Sequence, residues 1–217
     1  MSETTSRPDA AIAAARAADQ ELLDRLERWS RAGGDPGAPS VLDGWTIGHV
    51  VTHLARNADG FRNVARGTAV GEQWPMYESV ESRQADIDAG AGRSAEELSA
   101  DLRQAVDRLY AALAEADWAG SGLTARGPIA MIEVPERRRR EVIVHHSDLG
   151  LGYTPDEWPS DFVRTELRAL EMVVKSRLPM GMTEWPAAVL GLTPGMRLWW
   201  MFGRLHGEGL PVPPAWQ

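Results

Sequence analysis

Residues 138–152, RRREVIVHHSDLGLG, place Glu141 four positions before His145, with His146 directly after it. In a helix, side chains at positions i and i+4 lie on one face, with Cβ atoms about 5–6 Å apart. Two ligating groups on one face can hold a single ion, so this stretch predicts half of a metal site within a helical fold. A packing interpretation also stays open, in which Glu141 pairs with a preceding arginine and His145 is an ordinary core residue.

A second helix is predicted from about residue 46 to residue 65, TIGHVVTHLARNADGFRNVA. Its apolar residues recur at helical spacing and form a stripe that faces the core. Projected at about 100° per residue, His49 lies nearly opposite the centre of that stripe, whereas His53 lies at its edge. His53 is therefore the better candidate to point towards the interior.

The candidate metal ligands on these two helices are His53, Glu141 and His145. Metal sites in helix bundles are built from inward-pointing ligands on facing helices, so these three side chains can converge. Two imidazoles and one carboxylate, with a fourth position left for water or substrate, suit a catalytic zinc, although other divalent ions also accept this donor set. His146 and Asp148 are weaker candidates, either as hydrogen-bonding partners of a ligand histidine or as surface groups.

The helical pattern extends through the first two thirds of the chain and predicts a mainly α fold, a four-helix bundle. The segment between residues 68 and 93 is irregular and is expected to hold one short helix. Glycine and proline between Gly120 and Pro128 indicate a loop. The four bundle helices are expected at approximately 8–32, 46–65, 94–116 and 132–149.

The pattern changes near residue 155, so we predict two domains, residues 1–154 and residues 155–217. In the second, a helix is expected over residues 160–177, followed by a strand in the apolar run PAAVLGL. Thr193 is a good N-cap for a last short helix, with Pro194 at its first position. This part is predicted to be a small mixed α/β appendage to the bundle.

Composition excludes several functional classes. The 217 residues carry a net charge of −8, and the basic run of Arg137 to Arg140 is followed at once by Glu141. That run is expected to be a solvated helix face, and a nucleic-acid partner is not expected. The sequence has no cysteine, so any thiol chemistry must take its sulfur from a cosubstrate. Because there is no secretory h-region and no long apolar stretch, we expect no membrane association and a cytoplasmic location.

Four segments together resemble the mycothiol-dependent maleylpyruvate isomerase family, which belongs to the DinB-like group of metal-binding four-helix bundles. They are LDGWTIGHVVTHLARNADGF, PMYESVESRQADI, RREVIVHHSDLGLGY and GRLHGEGLPVPPAW. The resemblance implies a divalent metal, usually zinc, held by His53, Glu141 and His145, in agreement with the helical projection. It also implies that Arg204 lies near the active site, where a guanidinium suits a carboxylate; the alternative for Arg204 is a cation at a helix end.

The second of these segments lies within the irregular region between residues 68 and 93. Its family match covers Pro75, Met76 and Tyr77, with Arg83 beyond them. We expect this stretch to form a rim over the site, and the resemblance implies no chemistry for it.

The activity implied by the resemblance is the cis–trans isomerisation of maleylpyruvate to fumarylpyruvate, with mycothiol or a similar low-molecular-weight thiol as cosubstrate. The expected partners are therefore that thiol and a small electrophile, expected to be a dicarboxylate. Two alternatives stay open. One is a thiol S-transferase that acts on another electrophile. The other is a non-catalytic binding module whose metal ion only stabilises the bundle, with His146 or His49 as a fourth ligand.

Overall fold

The computed structural model describes residues 6–176, 185–207 and 209–213. The chain divides into two compact units, Met1–Leu151 and Gly152–Gln217. The division lies close to the predicted boundary after residue 154; that the two units are separate domains stays a prediction. No helix of the described residues is long and apolar enough to cross a membrane.

The first unit is helical, as the sequence patterns predict. Its helices are α1 (Asp9–Arg31), α2 (Ile47–Ala69), α3 (Val80–Gly90), α4 (Ala95–Glu115) and α5 (Val134–Asp148). The caps agree with the predicted starts: at the beginning of α4, the Ser94 hydroxyl accepts from the backbone N–H of Glu97, whose carboxylate accepts from the N–H of Ser94. This reciprocal capping box satisfies two N–H groups that the helix itself leaves unpaired. The short helix expected between residues 68 and 93 is α3.

The predicted four-helix bundle is confirmed. Helix α1 packs against α4 and α5, and α2 packs against the same two helices. Inward-facing leucines and valines form the core, because apolar side chains removed from water on facing helices are the main source of stability in such a fold. The fully buried members include Leu22, Leu26, Leu54, Leu98, Leu102 and Leu109.

A buried ion pair crosses this core. The side chains of Arg138 on α5 and Asp19 on α1 are each 1% exposed, and Arg138 Nη2 lies 2.6 Å from Asp19 Oδ1. Arg138 also donates to Asn57 Oδ1 on α2 at 2.8 Å, and the Tyr110 hydroxyl on α4 donates to Asp19 at 2.8 Å. The prediction of a solvated arginine run is therefore wrong for Arg138 and for Arg139, which is also buried. The polar network connects all four bundle helices.

An antiparallel hairpin occupies the region predicted as a loop between α4 and α5. Its strands are β1 (Ser121–Thr124) and β2 (Gly127–Ala130). The segment before α3 pairs with β1, since the N–H of Leu123 donates to Trp74 O at 3.1 Å and the N–H of Met76 donates to Leu123 O at 2.9 Å. This segment lies directly over α2, where a Cβ on Gly60 would meet the Met76 side chain at 2.9 Å.

The second unit contains α6 (Ser160–Ser176), α7 (Ala187–Leu190) and α8 (Pro194–Met201). The predicted N-cap of α8 is confirmed, because the Thr193 hydroxyl accepts from the N–H of Met196 at 3.2 Å. The predicted strand in PAAVLGL is wrong: these residues form α7, and the described part of this unit contains only helices. A short apolar run fits a buried helix turn as well as a strand, and the helix prevails here after Pro186, which serves as its N-cap.

Candidate metal centre

Helix α2 places its two histidines in different environments. Thr46 caps the helix, and the ring of His49 completes the capping box by accepting from the N–H of Thr46 through Nδ1 at 3.2 Å. His53 lies about one turn further along and is buried, with its ring 5.6 Å from that of Trp45. The prediction that His53 points inwards is confirmed, and the capping role accounts for His49.

The structure brings the three predicted metal ligands together. His53 Nε2 lies 3.1 Å from Glu141 Oε2, and His145 Nε2 lies 3.7 Å from the same oxygen. The rings of His53 and His145 meet edge to face, with centroids 4.5 Å apart. All three potential ligand atoms lie within 4.8 Å of one another. The packing interpretation, in which Glu141 is satisfied by a neighbouring arginine, does not account for this convergence.

These separations fit a small divalent ion. Zinc bonds to nitrogen and oxygen of about 2.0–2.2 Å place neighbouring ligands of a tetrahedral site roughly 3.3–3.6 Å apart. The distances of 3.1 and 3.7 Å from Glu141 to the two histidines lie on either side of that range. With all three ligand atoms within 4.8 Å of one another, the groups are close enough to share one ion.

The charge states of the cluster favour a metal. Burial lowers the pKa of His53 to about 4, and the electrostatic effect of the neighbouring His145 acts in the same direction. His53 is therefore neutral at pH 7, as a ligand must be. Burial alone would raise the pKa of Glu141, but the hydrogen bond from His53 and the electrostatic effect of His145 lower it to about 2. Its side chain retains 34% exposure, which weakens the opposing effect of burial.

Two charged side chains contact the other nitrogens of the histidines. Asp148 is fully buried, and its Oδ2 lies 2.8 Å from His145 Nδ1. The contact lacks the geometry of a hydrogen bond, but the negative charge of the carboxylate favours a proton on Nδ1, which leaves Nε2 free as a ligand. On the other side, Arg83 Nη2 lies 2.7 Å from His53 Nδ1. Because Asp148 is buried, the surface role considered for it is wrong, and its role as a hydrogen-bonding partner of His145 stays a prediction.

His146 does not join the cluster, although it follows a ligand candidate directly. It is buried, and burial lowers its pKa to about 3. The positive charges of Arg25 and Arg28 on α1 contribute to this shift, so the ring belongs to the side of α5 that packs on α1. Within the described ranges, neither His146 nor His49 is placed to complete a closed four-ligand site.

A cavity of about 390 Å³ opens beside the cluster, with His53 and Glu141 in its wall. The segment before α3 supplies Met76 and Tyr77, so this stretch forms the expected rim. The β1–β2 turn and α5 contribute two arginines, Arg126 and Arg137. A larger cavity of about 620 Å³ lies in the second unit, but its wall contains none of the three clustered ligands.

Two features of the site are missed by the sequence patterns: the contact of Arg83 with His53, since only a place in the rim was expected for Arg83, and the hairpin. A usable signal for Arg83 is its position one turn after Ser79, which caps α3 and fixes where that helix begins. For the hairpin, the signal is the Gly127–Pro128 pair; Gly127 adopts a φ of 111°, which other residues rarely adopt.

Arg204 lies in the second unit, just after α8. Its Nη1 donates to the backbone carbonyl of Phe202 at 2.7 Å, and the side chain is half-buried. This contact with the carbonyl end of a helix matches the alternative considered from the sequence. The predicted role of Arg204 towards substrate stays a prediction.

Comparison with known proteins gives the family. Two solved structures resemble the chain. One is that of the mycothiol-dependent maleylpyruvate isomerase, and the other is that of a variant of this enzyme with one histidine replaced by alanine. Each is 24% identical in sequence to the chain and has a TM-score of 0.80, and the match covers 95% of both chains. At this identity, the likeness shows the fold. No curated protein is significantly similar in sequence. The family model of the mycothiol maleylpyruvate isomerase N-terminal domain matches residues 15–150. The chain therefore belongs to the mycothiol maleylpyruvate isomerase family, and the prediction that it is an enzyme of the isomerase type is confirmed.

Proposed function

We propose that this protein is a mycothiol-dependent, zinc-activated cis–trans isomerase that converts maleylpyruvate to fumarylpyruvate. The observation that carries the proposal is the triangle of His53, Glu141 and His145 beside a cavity, in a chain of this family. Cavities of a few hundred Å³ suit small-molecule substrates.

In this proposal His53, Glu141 and His145 are the metal ligands, and Asp148 orients His145 through Nδ1. A zinc ion held there would supply Lewis acidity, which lowers the pKa of a bound thiol and favours the thiolate at neutral pH. Glu141 contributes a negative charge, since its pKa of about 2 keeps it ionised. Arg204 is proposed to orient a substrate carboxylate, because its planar guanidinium can bind carboxylate through two hydrogen bonds.

The reaction needs an external sulfur nucleophile, because the chain has no cysteine. The thiolate of the cosubstrate adds to the carbon–carbon double bond conjugated with a carbonyl group, forming a carbon–sulfur bond and an enolate. The former double bond is now single and rotates. The enolate then expels the thiolate, so that the double bond re-forms in the trans geometry and the thiol is regenerated. No atom is oxidised or reduced overall.

A catalytic metal site with an open coordination position is favoured over a structural site whose metal ion only stabilises the bundle. Structural zinc sites normally have four protein ligands. In the part of the chain that the structure describes, three groups converge, and two of them, His53 and Glu141, face the cavity. A fourth coordination position is therefore available to water or thiol.

A direct assay tests this function. Zinc-loaded protein is incubated with maleylpyruvate in the presence and absence of mycothiol, and the products are separated by chromatography. We expect thiol-dependent formation of fumarylpyruvate with no net consumption of mycothiol. A stable mycothiol adduct that accumulates in its place would identify a thiol S-transferase. No reaction of maleylpyruvate with metal-loaded, folded protein would refute the proposal.

A further inference from the structure

The cavity beside the metal centre has a charge opposite to that of the whole protein. Three arginines, Arg83, Arg126 and Arg137, line it together with a single carboxylate, that of Glu141. The chain as a whole carries a net charge of −8. Positive groups gathered in a cleft of an acidic protein raise the local concentration of anions there and repel cations. The cavity therefore favours an anionic ligand.

Arg126 is presented by the turn between β1 and β2. Thr124 fixes this turn, because its hydroxyl donates to Gly127 O at 2.9 Å and accepts from the N–H of Arg126 at 3.1 Å. The hairpin itself is attached to the segment before α3 by the backbone pairing of Leu123. Arg126 is exposed, and no carboxylate of the described chain is paired with it. Its guanidinium is thus available to a ligand.

Arg137 lies on α5 one helical turn before Glu141, so the two side chains share a face of the helix. Its only ion pair within the described residues is a long contact of 3.7 Å with Glu133, and half of the side chain is exposed. Such an exposed pair is weak and is readily exchanged for a better partner. Arg83 differs from Arg126 and Arg137, since its guanidinium contacts His53 at 2.7 Å.

We propose that Arg126 and Arg137 form a carboxylate-binding site in the wall of the cavity and select electrophiles that carry a carboxylate. The inference rests on the proposed function and refines it. It assigns substrate recognition to the bundle itself, in addition to the role proposed for Arg204. Two guanidinium groups from separate elements, one on a fixed hairpin turn and one on a helix, can hold a carboxylate by charge-assisted hydrogen bonds.

The test compares the parent, the double variant Arg126→Gln/Arg137→Gln and a control that loses the same charge elsewhere, Arg31→Gln/Arg103→Gln. Arg31 pairs with Glu27 within α1, Arg103 pairs with the same carboxylate from α4, and neither arginine lines the cavity. Each protein is zinc-loaded and checked for folding by circular dichroism. Affinity for succinate, a saturated dicarboxylate, is measured by calorimetric titration, and KM for maleylpyruvate and for mycothiol is measured separately.

We expect the double variant to bind succinate about 10- to 100-fold more weakly, as charged hydrogen bonds worth about 1.5–3 kcal/mol are lost. KM for maleylpyruvate should rise to a similar extent, while kcat, KM for mycothiol and the control stay at parent values. If succinate affinity and KM for maleylpyruvate match the parent, the inference is overturned while the isomerase function stands. If the parent binds succinate through these arginines but isomerises nothing, the carboxylate site stands and the proposed function fails.

Discussion

Arg83 and His53 form a short contact, with Nη2 of the guanidinium 2.7 Å from Nδ1 of the imidazole. A guanidinium has no acceptor, so Nδ1 of His53 must accept this hydrogen bond. The proton of the neutral ring then resides on Nε2, which donates to Glu141 Oε2 at 3.1 Å. Nε2 is also the nitrogen that faces the proposed metal position. Metal binding at this atom therefore competes with the arrangement that Arg83 stabilises.

The first prediction is that Arg83→Gln tightens zinc binding. The amide removes a positive charge next to the metal position, and its oxygen can accept a hydrogen bond from Nδ1–H, as partners of metal-bound histidines normally do. We expect the zinc dissociation constant, measured by competition with a chelator at pH 7, to fall about tenfold. Arg103→Gln, which removes an arginine away from the cavity, is the control and should not change it. Unchanged or weaker zinc binding by Arg83→Gln would contradict this account.

The second prediction concerns Asp148, whose carboxylate lies 2.8 Å from His145 Nδ1. In Asp148→Asn the side chain keeps its shape but loses the charge that increases the basicity of His145. We expect zinc affinity to fall by about 10- to 100-fold, the usual cost of losing such a partner. The same chelator competition measures it, with circular dichroism to show that the variant is folded. An affinity equal to that of the parent would mean that Asp148 has only a packing role.

The third prediction concerns the stability of the bundle. Asp19→Ala leaves the guanidinium of Arg138 buried without its carboxylate, and we expect the free energy of unfolding to fall by about 3–5 kcal/mol. Arg137→Met, on the same helix but half exposed, serves as the control and should change it by no more than about 0.5 kcal/mol. Urea denaturation of both metal-free variants measures the difference. Similar values for the two would show that the buried pair is dispensable.

Much of this arrangement could be predicted from the sequence. The helical period fixes which residues share a face, so the pattern makes His53, Glu141 and His145 candidates for one interior site, and the family resemblance selects them as metal ligands. The burial of Arg138 could not be predicted in this way, because its partner Asp19 is 119 residues distant in sequence and only the packing of α1 on α5 brings them together. A local run of arginines alone indicates a solvated face.

The hairpin and α7 show a second limit of sequence patterns. Strands of four residues such as β1 and β2 are too short for a clear alternation of apolar and polar positions, and they form here because the segment around Trp74 pairs with Leu123. Helix α7 spans only Ala187–Leu190, a length at which helix and strand patterns cannot be distinguished. The position of Arg126 in the cavity depends on that hairpin, so the sequence pattern does not predict it either.

The fourth prediction is a loss of stability of the metal-free protein in mild acid. Burial lowers the pKa of His146 to about 3, below the ordinary value of 6.5. As the pH falls, the imidazole of His146 is therefore protonated near pH 6.5 in the unfolded chain but only at a much lower pH in the folded chain. This contribution to stability is fully present above pH 6.5 and is lost as the pH falls towards 3.

Urea midpoints at pH 7 and pH 5 measure this effect in the metal-free protein. We expect a lower midpoint at pH 5 and a smaller difference between the two pH values in His146→Gln, in which the titrating group is absent. The pKa of His53 is lowered to about 4, so His53 contributes to the loss of stability in the same direction. It accounts for the difference in urea midpoint between pH 7 and pH 5 that stays in His146→Gln. If the parent and His146→Gln lose equal stability between pH 7 and pH 5, His146 is not responsible.

Metal analysis of the purified protein tests the central claim most directly. The parent, His53→Ala and Glu141→Ala are compared by elemental analysis, with His206→Ala, which removes an exposed histidine, as the control. Circular dichroism establishes that each protein is folded. We predict about one zinc ion per chain in the parent and in His206→Ala, since the three ligands form one site, and little in the two ligand variants. A folded parent that contains little metal and gains no thermal stability from added zinc would contradict the account.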